Sequence, residues 1–186
     1  MQSINNSLIT LIPKKNNPDF VSDFQLISLV NTILKIITKI LDNCLQRVIL
    51  RIVHTNQYGF IKTRTIQDCL AWSFEFLHQC HHSKRPIVIL KLDFAKAFDT
   101  VEYKSMLIIM EALGFPARWR QWMSNILGSA TSSILLNGVP GKSFSCKRGV
   151  SQGDPLSPLL CVLVGGLLQS VINGAYRLNL LKAPIP

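Results

Sequence analysis

Apolar residues recur at Leu29, Ile33, Ile36, Ile37, Ile40, Leu41, Leu45 and Val48. Steps of three and four of this kind predict one long amphipathic helix, here starting at Ser28. Lys35, Lys39 and Arg47 fall among its polar positions. Upstream, Leu8 to Ile12 reads as a short strand stopped by Pro13 and followed by the basic loop Lys14-Lys15. Gln67 to Gln79 predicts a second helix. The unbroken run Ile87-Val88-Ile89-Leu90 opens a predicted strand ending at Phe94. A helix near Glu102 to Leu113 is closed by Gly114 and Pro116. Ser132 to Leu136 and Ser143 to Cys146 predict a hairpin around Asn137-Gly138, a dipeptide suited to the left-handed turn. Pro155 opens a last apolar helix, reaching about Ile172. Strands and helices in mixed order, with a long hairpin, point to an α+β fold rather than a repeated βαβ wind.

Composition narrows this picture. The 186 residues suffice for one domain and its core, or for one large piece of a bigger fold. With 48% apolar and 16% charged residues, global disorder is excluded. Lys and Arg outnumber Asp and Glu by 20 to 10, and the resulting +10 favours polyanionic partners, nucleic acid above all. Five widely spaced cysteines with no CxxC pair suit reduced intracellular thiols better than a disulfide framework. Cys80-His81-His82 has the ligand types of a zinc site, but no second pair stands at finger spacing. The N-terminus lacks the basic start and long apolar stretch of a signal peptide. The apolar run Leu159 to Leu168, with two glycines, reads as too short to span a bilayer. The expectation is a soluble, intracellular protein without a membrane partner.

Two stretches carry candidate chemistry. In KLDFAKAFDT, Lys91 to Thr100, a buried-looking strand ends in two carboxylates with a Phe beside the second. An ionised Asp is rarely buried unless paired or bound to a cation. Asp93 stands where the strand should emerge, a rigid mount for a ligand to Mg²⁺, which prefers carboxylate oxygens. The plainer alternative makes Asp99 a helix N-cap and Phe98 simple core. In RGVSQGDPLSPLL, Arg148 to Leu160, Gly149 and Gly153 let backbone approach a ligand closely, and Gln152 offers both a donor and an acceptor. Asp154-Pro155 then starts a helix whose N-terminus favours anionic groups.

Together these stretches resemble the reverse transcriptase domain of LINE-type, non-LTR retrotransposons. LIPKK (11–15), DFQLISLVNTILKIITKIL (23–41), QYGFIKTRTIQDCL (57–70), KLDFAKAFDTV (91–101), the Asn-Gly hairpin and RGVSQGDPLSPLL occur in that family's order, over about Leu8 to Ile172. The resemblance implies that Asp93 ligates two catalytic Mg²⁺ ions, with the Phe94 carbonyl helping one of them, in transfer of deoxynucleotides to a primer. It implies that Phe98 is a steric gate, filling the space a ribonucleotide 2′-OH needs, so that the product is DNA. By the same likeness Gln152 and Gly153 line the incoming deoxynucleotide, Lys14 neutralises its triphosphate, and Arg64 lies near the template. Implied partners are an RNA template, a DNA primer and deoxynucleoside triphosphates, and a nuclear location is compatible with that role.

This sequence departs from the family's pattern in three places. Gln25 stands where an Arg is usual, losing a bidentate, charge-assisted contact to the triphosphate. Ser151 replaces a frequent Arg. No Asp-Asp pair occurs anywhere, whereas the family's YADD-type motif C supplies the remaining metal carboxylates. The expected architecture is therefore the fingers and partial palm of a right-hand polymerase, lacking the motif C strand pair and thumb. The fingers would take about 1–86 and 116–153, and the palm about 87–115 and 154–186. An incomplete Mg²⁺ site implies a chain inactive by itself. The alternatives are a catalytically dead RNA- or DNA-binding remnant, or a non-functional relic.

Overall fold

The computed structural model describes residues 4–94 and 96–182. Strand β1 (Asn6–Pro13) is followed by a 3₁₀ turn (Val21–Asp23) and strand β2 (Phe24–Val30). The two strands pair antiparallel, from Ser7 opposite Val30 to Pro13 opposite Phe24. Pro13 has no N–H to donate and accordingly sits at the very end of this ladder. β2 corrects the expectation of a helix from Ser28. Its apolar run satisfies either period, and the unpaired edge of β1 decides for strand. Asn31 then caps helix α1 (Thr32–Gln46), its side chain accepting from the Ile33 N–H at 2.9 Å.

A second sheet contact joins distant parts of the chain. Strand β3 (Thr131–Leu136) lies parallel to β1, from Asn6 opposite Thr131 to Ile9 opposite Ile134. Ser7 and Ser132 share a buried hydroxyl–hydroxyl bond of 2.8 Å across it. The hairpin turns at Asn137 and Gly138, both at positive φ, as the dipeptide predicts. Its return arm is broken into β4 (Val139–Pro140) and β5 (Phe144–Ser145), both paired with β3. The spatial order β2-β1-β3-β4, with β5 beside β3, makes one mixed sheet.

Helices α2 (Ile49–Ile52), α3 (Ile66–His82), α4 (Ala97–Thr100), α5 (Tyr103–Ala112), α6 (Ala117–Gly128) and α7 (Ser157–Arg177) complete the described elements. The main core is helical. Leu41 and Leu45 of α1, Ile49, Met106 and Met110 of α5, Met123 and Leu127 of α6, and Leu159, Leu160 and Leu163 of α7 form one buried cluster. α5 ends in a Schellman arrangement, with the Phe115 N–H donating to the Met110 carbonyl at 2.9 Å and Gly114 at φ +77°. α6 was not foreseen, because its Arg-Trp-Arg-Gln-Trp start blurs the apolar period. The last helix begins at Ser157, two residues beyond Pro155, and continues to Arg177. At 21 residues, α7 is long and apolar enough to cross a membrane, correcting the reading of this run as too short. Its first half instead packs in the core, while Leu167 and Val171 of its second half are exposed.

The largest departure is at Ile87 to Phe94, where no strand forms. Val88 is 96% exposed, and Leu90 and Phe94 are open to solvent as well. A strand exists only as part of a ladder, and among the described residues none runs beside this one.

Candidate functional site

A cavity of about 810 Å³ opens between the β1–β2 arm, α4 and the loop entering α7. Lys14, Gln25, Phe98, Gln152 and Gly153 all line it, although they come from four separate stretches of sequence. The Lys14 N–H donates to the Asp23 carbonyl at 2.8 Å, which closes the arm. Asp23 pairs with Lys15 at 2.9 Å and accepts from the Asp19 and Phe20 N–H groups. The Lys15 ammonium, first, and the Phe20 N–H hold the Asp23 carboxyl below its ordinary pKa. Lys15 is thereby engaged, leaving Lys14 as the arm's cation on the cavity wall.

The 148–154 loop forms the cavity's far side and is fastened at both ends. The Ser28 N–H of β2 donates to the Gln152 carbonyl at 3.0 Å. Gly153, at φ +111°, brings its backbone so close that a Cβ there would lie 3.0 Å from the Ser28 carbonyl oxygen. Asp154 Oδ2 accepts from the Leu156 and Ser157 N–H groups at 3.0 and 3.2 Å, capping the start of α7. Burial pushes the Asp154 carboxyl up, against the lowering effect of the Thr38 hydroxyl and these N–H groups. Its carboxylate thereby takes up N–H groups at this helix start, the end that the sequence offered to an anionic ligand.

Phe98 is half-buried: it lines the cavity and also packs against the helical core. The ring therefore faces the cavity and packs as core at the same time. Asp99 is not an N-cap. It lies inside α4, whose capping position is Lys96, and it is one of the residues lining the cavity. Lys96 is a cavity residue that sequence reasoning missed, and its place in AKAF between the two acids was the available signal.

Asp93 and Arg64 are not gathered into this cavity. Asp93 is exposed on the irregular 87–94 segment, while its neighbour Phe94 lines the wall. The Arg64 guanidinium donates to the His54 and Gln57 carbonyls at 2.8 and 2.6 Å, tying down the loop before α3. Among the described residues no group of three His, Cys, Asp or Glu side chains could hold a metal ion. A lone Asp93 carboxylate does not fit a two-ion Mg²⁺ site, since Mg²⁺ demands near-ideal octahedral geometry. The Cys80-His81-His82 triplet does not converge either: Cys80 is buried and both histidines face solvent.

The sequence matches known proteins over most of its length. The family model described as reverse transcriptase (RNA-dependent DNA polymerase) matches residues 12–180. A Pol polyprotein of the type-2 retrotransposable element R2DM of Drosophila melanogaster is 30% identical over 162 residues, 87% of this chain. The transposon TX1 uncharacterized 149 kDa protein of Xenopus laevis is 27% identical over 170 residues, also 87% of this chain. A Pol polyprotein of the type-1 element R2 of Popillia japonica is 27% identical over 153 residues, 81% of this chain. The chain spans only 13% to 21% of the length of these relatives. It belongs to the reverse transcriptase family, as part of a domain of the non-LTR retrotransposon kind.

Proposed function

We propose that this chain forms the fingers and the first part of the palm of an RNA-directed DNA polymerase, and that the 810 Å³ cavity receives the incoming deoxynucleoside triphosphate. One observation carries the reading: Lys14, Phe98, Gln152 and Gly153, separated by up to 139 positions, line a single cavity. Lys14 supplies a cation for the triphosphate and Gln152 a donor and an acceptor for the nucleotide. Phe98 supplies a ring beside the sugar. The sheet joining 6–30 to 131–145 supports fingers built from two separate sequence blocks. Arg64 serves the template side indirectly, by fixing the loop that carries Tyr58 and Lys62. RNA template and DNA primer are the partners that the +10 charge suits.

Polymerisation requires a cluster of carboxylates around Asp93, and among the described residues no group of three could hold a metal ion, so the proposed activity is nucleotide and template binding. The test is equilibrium binding of dCTP and deoxycytidine to the 186-residue chain and to Lys14→Ala. A charge-assisted phosphate contact contributes about 1.5–3 kcal/mol, so the variant should lose roughly tenfold or more in dCTP affinity. Deoxycytidine binding should be unchanged. Equal loss for both ligands would remove Lys14 from the triphosphate, and no dCTP binding by the wild type would remove the cavity's assigned role.

A further inference from the structure

Two segments almost fifty residues apart, α4 with its exit and the start of the 148–154 loop, are clasped mainly through backbone. The Gly149 N–H donates to the Val101 carbonyl and the Val150 N–H to the Phe98 carbonyl, both at 2.7 Å. Glu102 and Arg148 add an antiparallel bridge, and the Tyr103 hydroxyl donates to the Arg148 carbonyl at 3.4 Å. Gly149 itself sits at φ +82°. A Cβ there would lie 2.9 Å from the Asp99 carbonyl oxygen, 3.1 Å from its Cα and 3.2 Å from its carbonyl carbon. These are backbone atoms, which cannot swing aside as the end of a side chain can. Any side chain at 149 must displace the Asp99 peptide, and Phe98 is covalently bonded to it.

We propose that Gly149 is a positioning residue for sugar discrimination. Its missing side chain lets the Phe98–Asp99 backbone lie flush against the loop, and that contact sets how far the Phe98 ring stands out into the cavity. The inference rests on the reading of the cavity as a nucleotide site with Phe98 as its wall. Gly153 fixes the opposite side of the same loop against Ser28, so the two glycines together hold Gln152 and Phe98 at a set separation. A purely structural clasp is the competing account, since Phe98 also packs on the core.

The experiment measures dCTP and CTP affinities, ligands that differ only at the 2′-OH, on the 186-residue chain. The variants are Gly149→Ala, Tyr103→Phe as a milder loosening, and Gly138→Ala as a control for strain alone. Gly138 has a similar φ of +79° but open space around it. Gly149→Ala should raise the CTP-to-dCTP affinity ratio on the order of tenfold, what one methylene's width of pocket is worth. Tyr103→Phe should raise it less, and Gly138→Ala should leave it alone. Amide hydrogen exchange at Val150 reports the clasp separately and should quicken in Gly149→Ala while α7 stays protected. Quickened exchange with an unchanged ratio in both loosened variants would show the clasp to be structural only. Should Gly149→Ala fail to fold, the same two readouts on Tyr103→Phe decide. A wild type that binds neither nucleotide would sink the site reading and this inference together. A wild type that binds both equally would spare the site but overturn the Phe98 wall and Gly149's role behind it.

Discussion

Gly153→Ala is the substitution whose cost can be worked most directly from the structure. At φ +111° an L side chain is strained, which costs about 1–3 kcal/mol. The added methyl meets the Ser28 carbonyl oxygen at 3.0 Å, so the loop or β2 must shift by a few tenths of an ångström. That shift stretches the 3.0 Å bond from the Ser28 N–H to the Gln152 carbonyl, worth about 0.5–1.5 kcal/mol net. The sum is about 1.5–4.5 kcal/mol, a sizeable fraction of the roughly 5–15 kcal/mol that holds a domain together. For a chain of this size each kcal/mol moves Tm by about 2–4 °C. The assay is urea unfolding of wild type, Gly153→Ala and Gly114→Ala. Gly114, at φ +77° with nothing within 4 Å of a built Cβ, carries the strain without the clash. It should cost about 1–2 kcal/mol. Both variants should keep the wild-type m-value while the midpoint falls further for Gly153→Ala. If Gly153→Ala costs no more than Gly114→Ala, the close approach to Ser28 does not constrain the loop.

Two further outcomes follow from α7 and its cap. Gly165 lies inside α7, exposed and with open space around a built Cβ, so Gly165→Ala should stabilise the chain by about 0.5–1 kcal/mol; a lower thermal midpoint would mean that face is occupied. Burial raises the Asp154 carboxyl above the ordinary 3.8, so in that window the folded chain binds more protons than the unfolded one. Stability contributed there falls as pH rises from about 3.8 through the raised value. Asp154→Asn removes the titration, so wild type should gain on the variant as pH falls through this window, and parallel stability-versus-pH curves would refute the assignment.

Some elements were written in local pattern alone. The Asn-Gly turn, the end of β1 at Pro13, α3 and α5 each follow from period, cap or turn chemistry that neighbouring residues supply. The family was legible too, because LDFAKAFD and GVSQGDPLSP are specific in order and spacing, and the same likeness picked out Lys14, Phe98, Gln152 and Gly153, which the fold brings to one cavity. Local pattern failed where the decision lay with a distant partner. Phe24 to Val30 could have been helix or strand until β1 offered it a ladder. Ile87 to Phe94 has the composition of a strand, yet backbone bonds need a neighbour, and the described residues provide none. On α1 the sequence stripe includes Ile33, Ile36 and Ile40, which are exposed, whereas the buried face runs through Leu34, Thr38, Leu41 and Leu45. Even Asp42 is buried there, paired with Lys39 at 2.7 Å. The site divides in the same way. Residue types come from sequence, but the separation of Phe98 from Gln152 is set by Gly149 on Asp99 and Gly153 on Ser28. Those are backbone contacts between segments tens to more than a hundred positions apart, and hydrophobic pattern says nothing about which carbonyl a glycine will meet.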